Sequence, residues 1–155
     1  MARRFTYENK YYDKRFVNLS NNTKLLYYYL YETADVAGFN ELLSGKIEQC
    51  VKLSEQETQE AISELEQQEF IILSENRKKI WFKDYLEEQG NYPINLKNSA
   101  HKGIIKSLKR HIYEFSENIE LFIKLSVIHK DNMTTIKEIM YDDIKPYLNS
   151  QSPLD

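Results

Sequence analysis

One cysteine, four glycines and three prolines among 155 residues are few, and each scarcity excludes something. A single cysteine, Cys50, rules out an internal disulfide and a cysteine zinc knuckle. It suits a reducing, cytoplasmic setting, with Cys50 as a small core side chain near the end of a short helix. The glycines form neither a GxGxxG nor a GxxxxGK[ST] loop, so no phosphate-cradling turn is encoded. The histidines His101, His111 and His129 lack HxxxH or HExxH spacing. No apolar run approaches the roughly 20 residues that cross a bilayer. Arg3 and Arg4 have no hydrophobic stretch behind them, so no secretory signal is expected. Asp142 and Asp143 occupy adjacent positions on an expected helix and do not converge on one site. The expectation is a protein that is not an enzyme and carries no metal or cofactor.

An overall basic charge is also missing. Formal net charge is −3, so any nucleic-acid contact has to be local. Residues 1–90 carry 12 Lys and Arg against 16 Asp and Glu, whereas residues 91–155 carry 9 against 8. The sharpest local departure is Lys97 to His111, with five Lys and Arg and no acid.

The first ninety residues read as an ordered series. Leu25, Leu26, Tyr29 and Leu30 lie at helical spacing behind an N-cap in Ser20 to Asn22, and predict a helix over 20–34 ended by Gly38. Leu42, Leu43, Ile47 and Val51 predict a short helix over 41–51. Ser54 and Glu57 form a capping box, which opens a helix to about Gln68 that buries Ala61, Ile62 and Leu65. Phe70–Leu73 and Ile80–Phe82, separated by "SENRKK", predict a hairpin with Trp81 as a core anchor. Helix, helix-turn-helix and hairpin make the plan of a winged helix. A connector with Gly90 and Pro93 follows, then helices over about 98–113, 117–129 and 134–148, the last kinked or ended by Pro146. The fold class is therefore mainly α with a small β-hairpin. Its expected parts are a winged-helix domain (1–90), a C-terminal helical extension (91–148) and a loose tail (149–155). The extension either packs back on the wing or swaps onto a second subunit.

Two surfaces suit DNA. On the recognition-position helix, Gln56, Gln59 and Ser63 lie opposite the buried face, and such side chains bond base edges. The same helix and its exit carry six glutamates and no cation, which opposes phosphate binding. Glu60 and Glu64 therefore fit a protein contact or a solvated face. On the basic segment, Lys102, Lys106, Lys109 and Arg110 share one helix face, opposite Ile104, Ile105, Leu108 and Ile112. With Lys97 they offer a stripe for phosphates. Arg77, Lys78 and Lys79 at the hairpin tip can touch the minor groove or the backbone, or form a solvated turn. His101 falls toward the apolar side, as a packed or capping histidine. Tyr11, Tyr12, Tyr27, Tyr28, Tyr29 and Tyr31 can stack on bases, but core or interface roles fit better. Tyr27, Tyr28 and Tyr31 are the interface candidates.

The stretch "ARRFTYENKYYDKRFVNLSNNTKLLYYYLYETADVAGF" resembles the opening of phage and prophage replication-initiation, or replisome-organiser, proteins. "ISELEQQEFII" and "KKIWFKDYLEEQ" resemble their recognition helix, wing and exit segment, and the likeness extends weakly through "NLKNSAHKGIIKSL". Matching positions are Leu19, Ser20, Thr23 to Leu26, Asp35, Gly38, Leu65, Trp81 and Gln89, most of them structural in character. The resemblance implies a short strand before "LS", a winged helix of the DnaD type, DNA binding, self-association into a homo-oligomer, and recruitment of a replicative helicase or its loader. The acidic recognition helix departs from that pattern. Two other readings stay open: a protein-only adaptor or inhibitor using the acidic surface, and a winged-helix transcription regulator needing a specific duplex site.

Overall fold

The structure is a computed structural model that describes residues 8–149, with side chains for residues 10–148. Arg3, Arg4 and residues 150–155 lie outside the described residues. The chain is mostly helical with two small sheets.

It starts with a 3-10 turn, Glu8–Tyr12, and helix α1, Lys14–Val17, capped by Asp13. No strand lies between residue 8 and "LS", and residues 1–7, where the expected strand could also fall, lie outside the described residues. Helix α2, Asn21–Glu32, begins where Ser20 Oγ accepts from the Thr23 amide. Strand β1, Phe39–Glu41, comes next, within the stretch expected as a turn and a helix start. Helix α3 is Ser44–Val51. Helix α4, Glu55–Gln67, opens with the full capping box of Ser54 and Glu57. Strands β2, Ile71–Leu73, and β3, Lys79–Phe82, form the expected hairpin. β1 pairs antiparallel with β3, so the sheet order is β1-β3-β2.

A short helix α5, Tyr85–Glu88, leads to β4, Ile94–Asn95. Helix α6, Ser99–His111, is capped by the Asn98 side chain. Beyond a 3-10 segment, Ile112–Asn118, the expected helix over 117–129 is corrected, and the one over 134–148 is present but divided at Met140. Helix α7 covers only Ile119–Ile123, and strands β5, Ser126–His129, and β6, Asn132–Thr135, form a second hairpin. Helices α8, Ile136–Ile139, and α9, Tyr141–Asn149, close the described chain. Pro146 lies inside α9 and does not end it. The second sheet has the order β4-β5-β6, with β4 parallel to β5.

Strand alternation organises the interior. Ile71, Leu73, Ile80 and Phe82 face one core with Leu26, Leu30, Ala61, Ile62 and Leu65 of α2 and α4. Phe39, Ile72 and Trp81 face the other, with Ile104, Leu108, Phe115, Phe122 and Val127 of the second half. The first sheet is thus a wall common to both cores. Trp81 meets Phe122 at 4.4 Å between ring centroids, and its Nε1 donates to the Ala37 carbonyl at 2.9 Å. The second half packs back across the hairpin sheet, the first of the two arrangements the sequence allows.

Candidate nucleic-acid interface

Helix α4 exposes Gln56, Gln59, Glu60 and Ser63 because Thr58, Ala61, Ile62 and Leu65 take its inner face. Its acids are not all free. Gln56 donates to Glu60 at 3.1 Å. Glu57 accepts from the Ser54 amide, which holds its carboxyl below the ordinary range, and also from Asn22. Glu64 accepts from the Ser20 amide at 3.0 Å and from Thr23 Oγ1 at 2.6 Å. A carboxylate there satisfies orphan donors at the start of α2 and complements its dipole. Glu64 is therefore corrected from a partner contact to an internal cap.

The turn of the first hairpin is tightly built. Asn76 Oδ1 accepts from Ser74 Oγ and from the Lys78 amide, and Arg77 takes a left-handed backbone with φ 59°. Arg77 and Lys78 stay exposed, with Arg77 3.6 Å from Glu66. Lys79 turns inward. Its ammonium lies 2.6 Å from Glu114 and 3.3 Å from His111 Nδ1, so it is corrected from a phosphate contact to a half-buried internal link. The Glu75 amide donates to the Glu114 carbonyl at 2.9 Å, and the Glu75 carboxylate accepts from Ser116 Oγ. This pins the tip to the 3-10 segment.

Helix α6 separates its faces. Ile104 and Leu108 are buried, and Lys102, Lys106, Lys109 and Arg110 are exposed. Lys102, Lys106 and Arg110 pair with no carboxylate among the described residues. Lys109 lies 3.9 Å from Asp143, an exposed pair of little energetic weight. Lys109 and Arg110 also complement the C-terminal end of the helix dipole. Lys97, before the cap, contacts Asp131 of the second hairpin at 2.5 Å. His101 is buried, and its Nδ1 accepts from the Asn95 amide at 2.8 Å. Burial pushes its pKa down, which keeps the ring neutral and able to accept.

The aromatic residues resolve by burial. Tyr27 and Tyr31 are core residues stacked 5.5 Å apart, which corrects their expected interface role. Burial pushes both hydroxyls well above the ordinary tyrosine range. Tyr28 is half-buried and donates to Tyr11 Oη at 2.8 Å. Cys50 is exposed, not a core residue.

Gln59, Arg77 and Lys78 come together around a cleft of about 270 Å³ between α3, α4 and the hairpin, floored by Leu42, Ile62 and Leu73. The α6 stripe belongs elsewhere. α4 and α6 pack on opposite faces of the first sheet, so the candidate residues divide into two surfaces.

A polar cluster that sequence reasoning missed joins the halves. Asp35 Oδ1 accepts from the Ala37 and Phe39 amides, and Oδ2 accepts from Ser107 Oγ at 2.5 Å. His111 Nε2 lies 3.6 Å from the same oxygen. The "AD" before a glycine is a signal for the turn, but nothing in the sequence links it to Ser107. The carboxylate sits between hydroxyl and imidazole, so the serine proton is directed to Asp35. That is not the order in which an imidazole base activates a hydroxyl.

Among the described residues, no helix is long and apolar enough to cross a membrane, and no His, Cys, Asp and Glu group is arranged to hold a metal ion. Comparison with protein-family models, curated proteins and solved structures gives no match for this chain.

Proposed function

We propose that this chain is a winged-helix protein that binds DNA and scaffolds replication initiation of the phage type, without catalysis of its own. The carrying observation is the exposed cationic face of α6, a helix with no acid of its own and only Asp143 of α9 near Lys109. Its cations would neutralise phosphates, displace their counterions and confer affinity without base reading. The winged-helix assignment is supported by the order helix, strand, helix, helix, strand, strand from α2 to β3, with β1 beside β3. The phage assignment rests on the sequence resemblance given above.

In this reading Lys102, Lys106, Lys109 and Arg110 contact phosphates, with Lys97 at the margin. Arg77, Lys78 and Gln59 form a second, smaller contact at the α4 cleft, and Ser63 and Gln56 lie along the same helix. A helicase or its loader, and further copies of the chain, are the proposed protein partners. The exposed outer face of α4, with Glu55, Glu60 and no cation, supports a protein contact there. It also favours the second reading, a protein-only adaptor.

Fluorescence anisotropy with single-stranded and random duplex DNA across a salt series tests the proposal. The fourfold Lys102, Lys106, Lys109 and Arg110→Ala variant should lower the log–log salt slope by about three to four. No binding by the wild type at low salt would leave the adaptor. A strong preference for one duplex sequence over random duplex would favour a transcription regulator.

A further inference from the structure

Strand β2 is an edge of its sheet. The Ser74 amide donates to the Lys79 carbonyl at 2.9 Å, and the Lys83 amide to the Phe70 carbonyl at 3.4 Å. Phe70, Ile72 and Ser74 therefore turn their backbone groups toward β3. By antiparallel alternation Ile71 and Leu73 turn theirs outward. Those outward amides and carbonyls have no hydrogen-bond partner among the described residues. Ile71 and Leu73 are only 2% and 7% exposed, so bulk water does little to replace that partner.

Glu75 is the next outward position, and its amide is met by the Glu114 carbonyl. The 3-10 segment thus takes the place of a neighbouring strand at one end of the edge. Farther along, the two diverge around a groove of about 490 Å³, lined by Ile71, Leu73, Glu69, Lys83, Glu117 and Leu121.

We propose that this groove receives an extended peptide bearing lysine or arginine, which adds to β2 as a fourth strand through the outward backbone groups of Ile71 and Leu73. The far wall, Glu117 to Leu121, belongs to the same chain, so the guest lies between β2 and that wall as a single strand at the usual spacing of about 4.8 Å from β2. The basic character follows from the rim. Glu69 and Glu117 are exposed and carry no ion pair among the described residues, whereas Arg77 is already beside Glu66. Leu121 is exposed and offers an apolar contact for an alternate side chain of the guest. Entry requires the long side chains of Glu69 and Lys83 to swing off the edge. The inference is independent of DNA binding.

The test is residue-resolved amide exchange of the full chain with acetyl-Lys-Val-Thr-Val-Lys-amide, and with the same peptide N-methylated at every residue. The expected result is exchange slowed at least about tenfold at Ile71 and Leu73 by the first peptide and unchanged by the second. The Glu69→Lys, Glu117→Lys variant should bind the peptide several-fold more weakly, with an unchanged thermal midpoint. No slowing at millimolar peptide, slowing at other amides only, or equal slowing by the methylated peptide would overturn the proposal. Protection of Ile71 and Leu73 that rises with protein concentration alone would assign the edge to a second copy and would also overturn it.

Discussion

Ser107 Oγ donates to Asp35 Oδ2 at 2.5 Å, tying the turn after α2 to the middle of α6 across 72 sequence positions. The other oxygen of the same carboxylate organises the turn itself through the Ala37 and Phe39 amides. One side chain thus shapes a local turn and fastens the second half of the chain to the first.

Asp35→Ala should therefore cost more than Ser107→Ala. The first leaves two amides and a hydroxyl without their acceptor, for about 2–3 kcal/mol. The second leaves only one carboxylate oxygen short of a donor, for about 1 kcal/mol. Urea unfolding of both variants and the double variant checks this. The double variant should cost less than the sum, since the two side chains share a bond.

Gly38→Ala should be among the most damaging small substitutions. Gly38 has φ 96°, and a Cβ there would lie 2.6 Å from Tyr85 Cβ. Left-handed strain and the clash together should exceed about 2 kcal/mol. Thermal unfolding reads the loss, and a midpoint within a degree or so of wild type would refute it.

Acid should weaken the junction between the halves through His111. Its pKa lies below the ordinary 6.5, first because of burial, then because of the Lys79 charge, with Asp35 and Glu114 pulling the other way. The unfolded chain takes up the proton first. The stability held by the neutral ring is therefore present above about pH 6.5 and is lost as pH falls through that value toward the folded pKa. Urea midpoints at about pH 7.5 and about pH 5.5 should show a larger acid loss for wild type than for His111→Gln. Glu88, whose pKa is raised by burial against the pull of Lys10, acts in the opposite sense. It is common to both proteins and cancels in the difference, as does His101. Equal losses would remove His111 from the account.

Trp81, the single tryptophan, faces the second core and reports directly on docking of the second half. A fragment of residues 1–90 would bare Phe39, Ile72 and Trp81. It should show red-shifted tryptophan emission and no cooperative melt, whereas the full chain should unfold in one transition. Phe122→Ala in the full chain should cost about 3–5 kcal/mol and shift the emission partway. A fragment that melts cooperatively with wild-type emission would refute the shared wall.

The elements legible in the sequence are those whose signals are local. Ser20, Ser54 with Glu57, and Asn98 mark helix starts by their own hydrogen bonds, and β2 and β3 stand out as apolar runs around a polar turn. The second hairpin was not legible. Its two-residue turn is Lys130–Asp131, with φ 51° and 64°, where the usual signal is Asn-Gly. The short runs on either side then read as helix. The α6 stripe was legible because charge separation at helical spacing needs only one element. Lys79, Glu64 and Tyr27 were misplaced because their partners, Glu114, Ser20 and Phe82, are distant in sequence. A lysine at a hairpin base looks the same in a sequence whether it meets water or a buried carboxylate.

A sheet with a core on each face fixes the reading frame of β3. A one-residue slip would send Ile80 and Phe82 into the space shaped for Trp81, and Trp81 into the space shaped for them. An insertion or deletion of one residue anywhere along the strand would exchange the contents of the two cores at once, so this stretch can change in sequence but not in length.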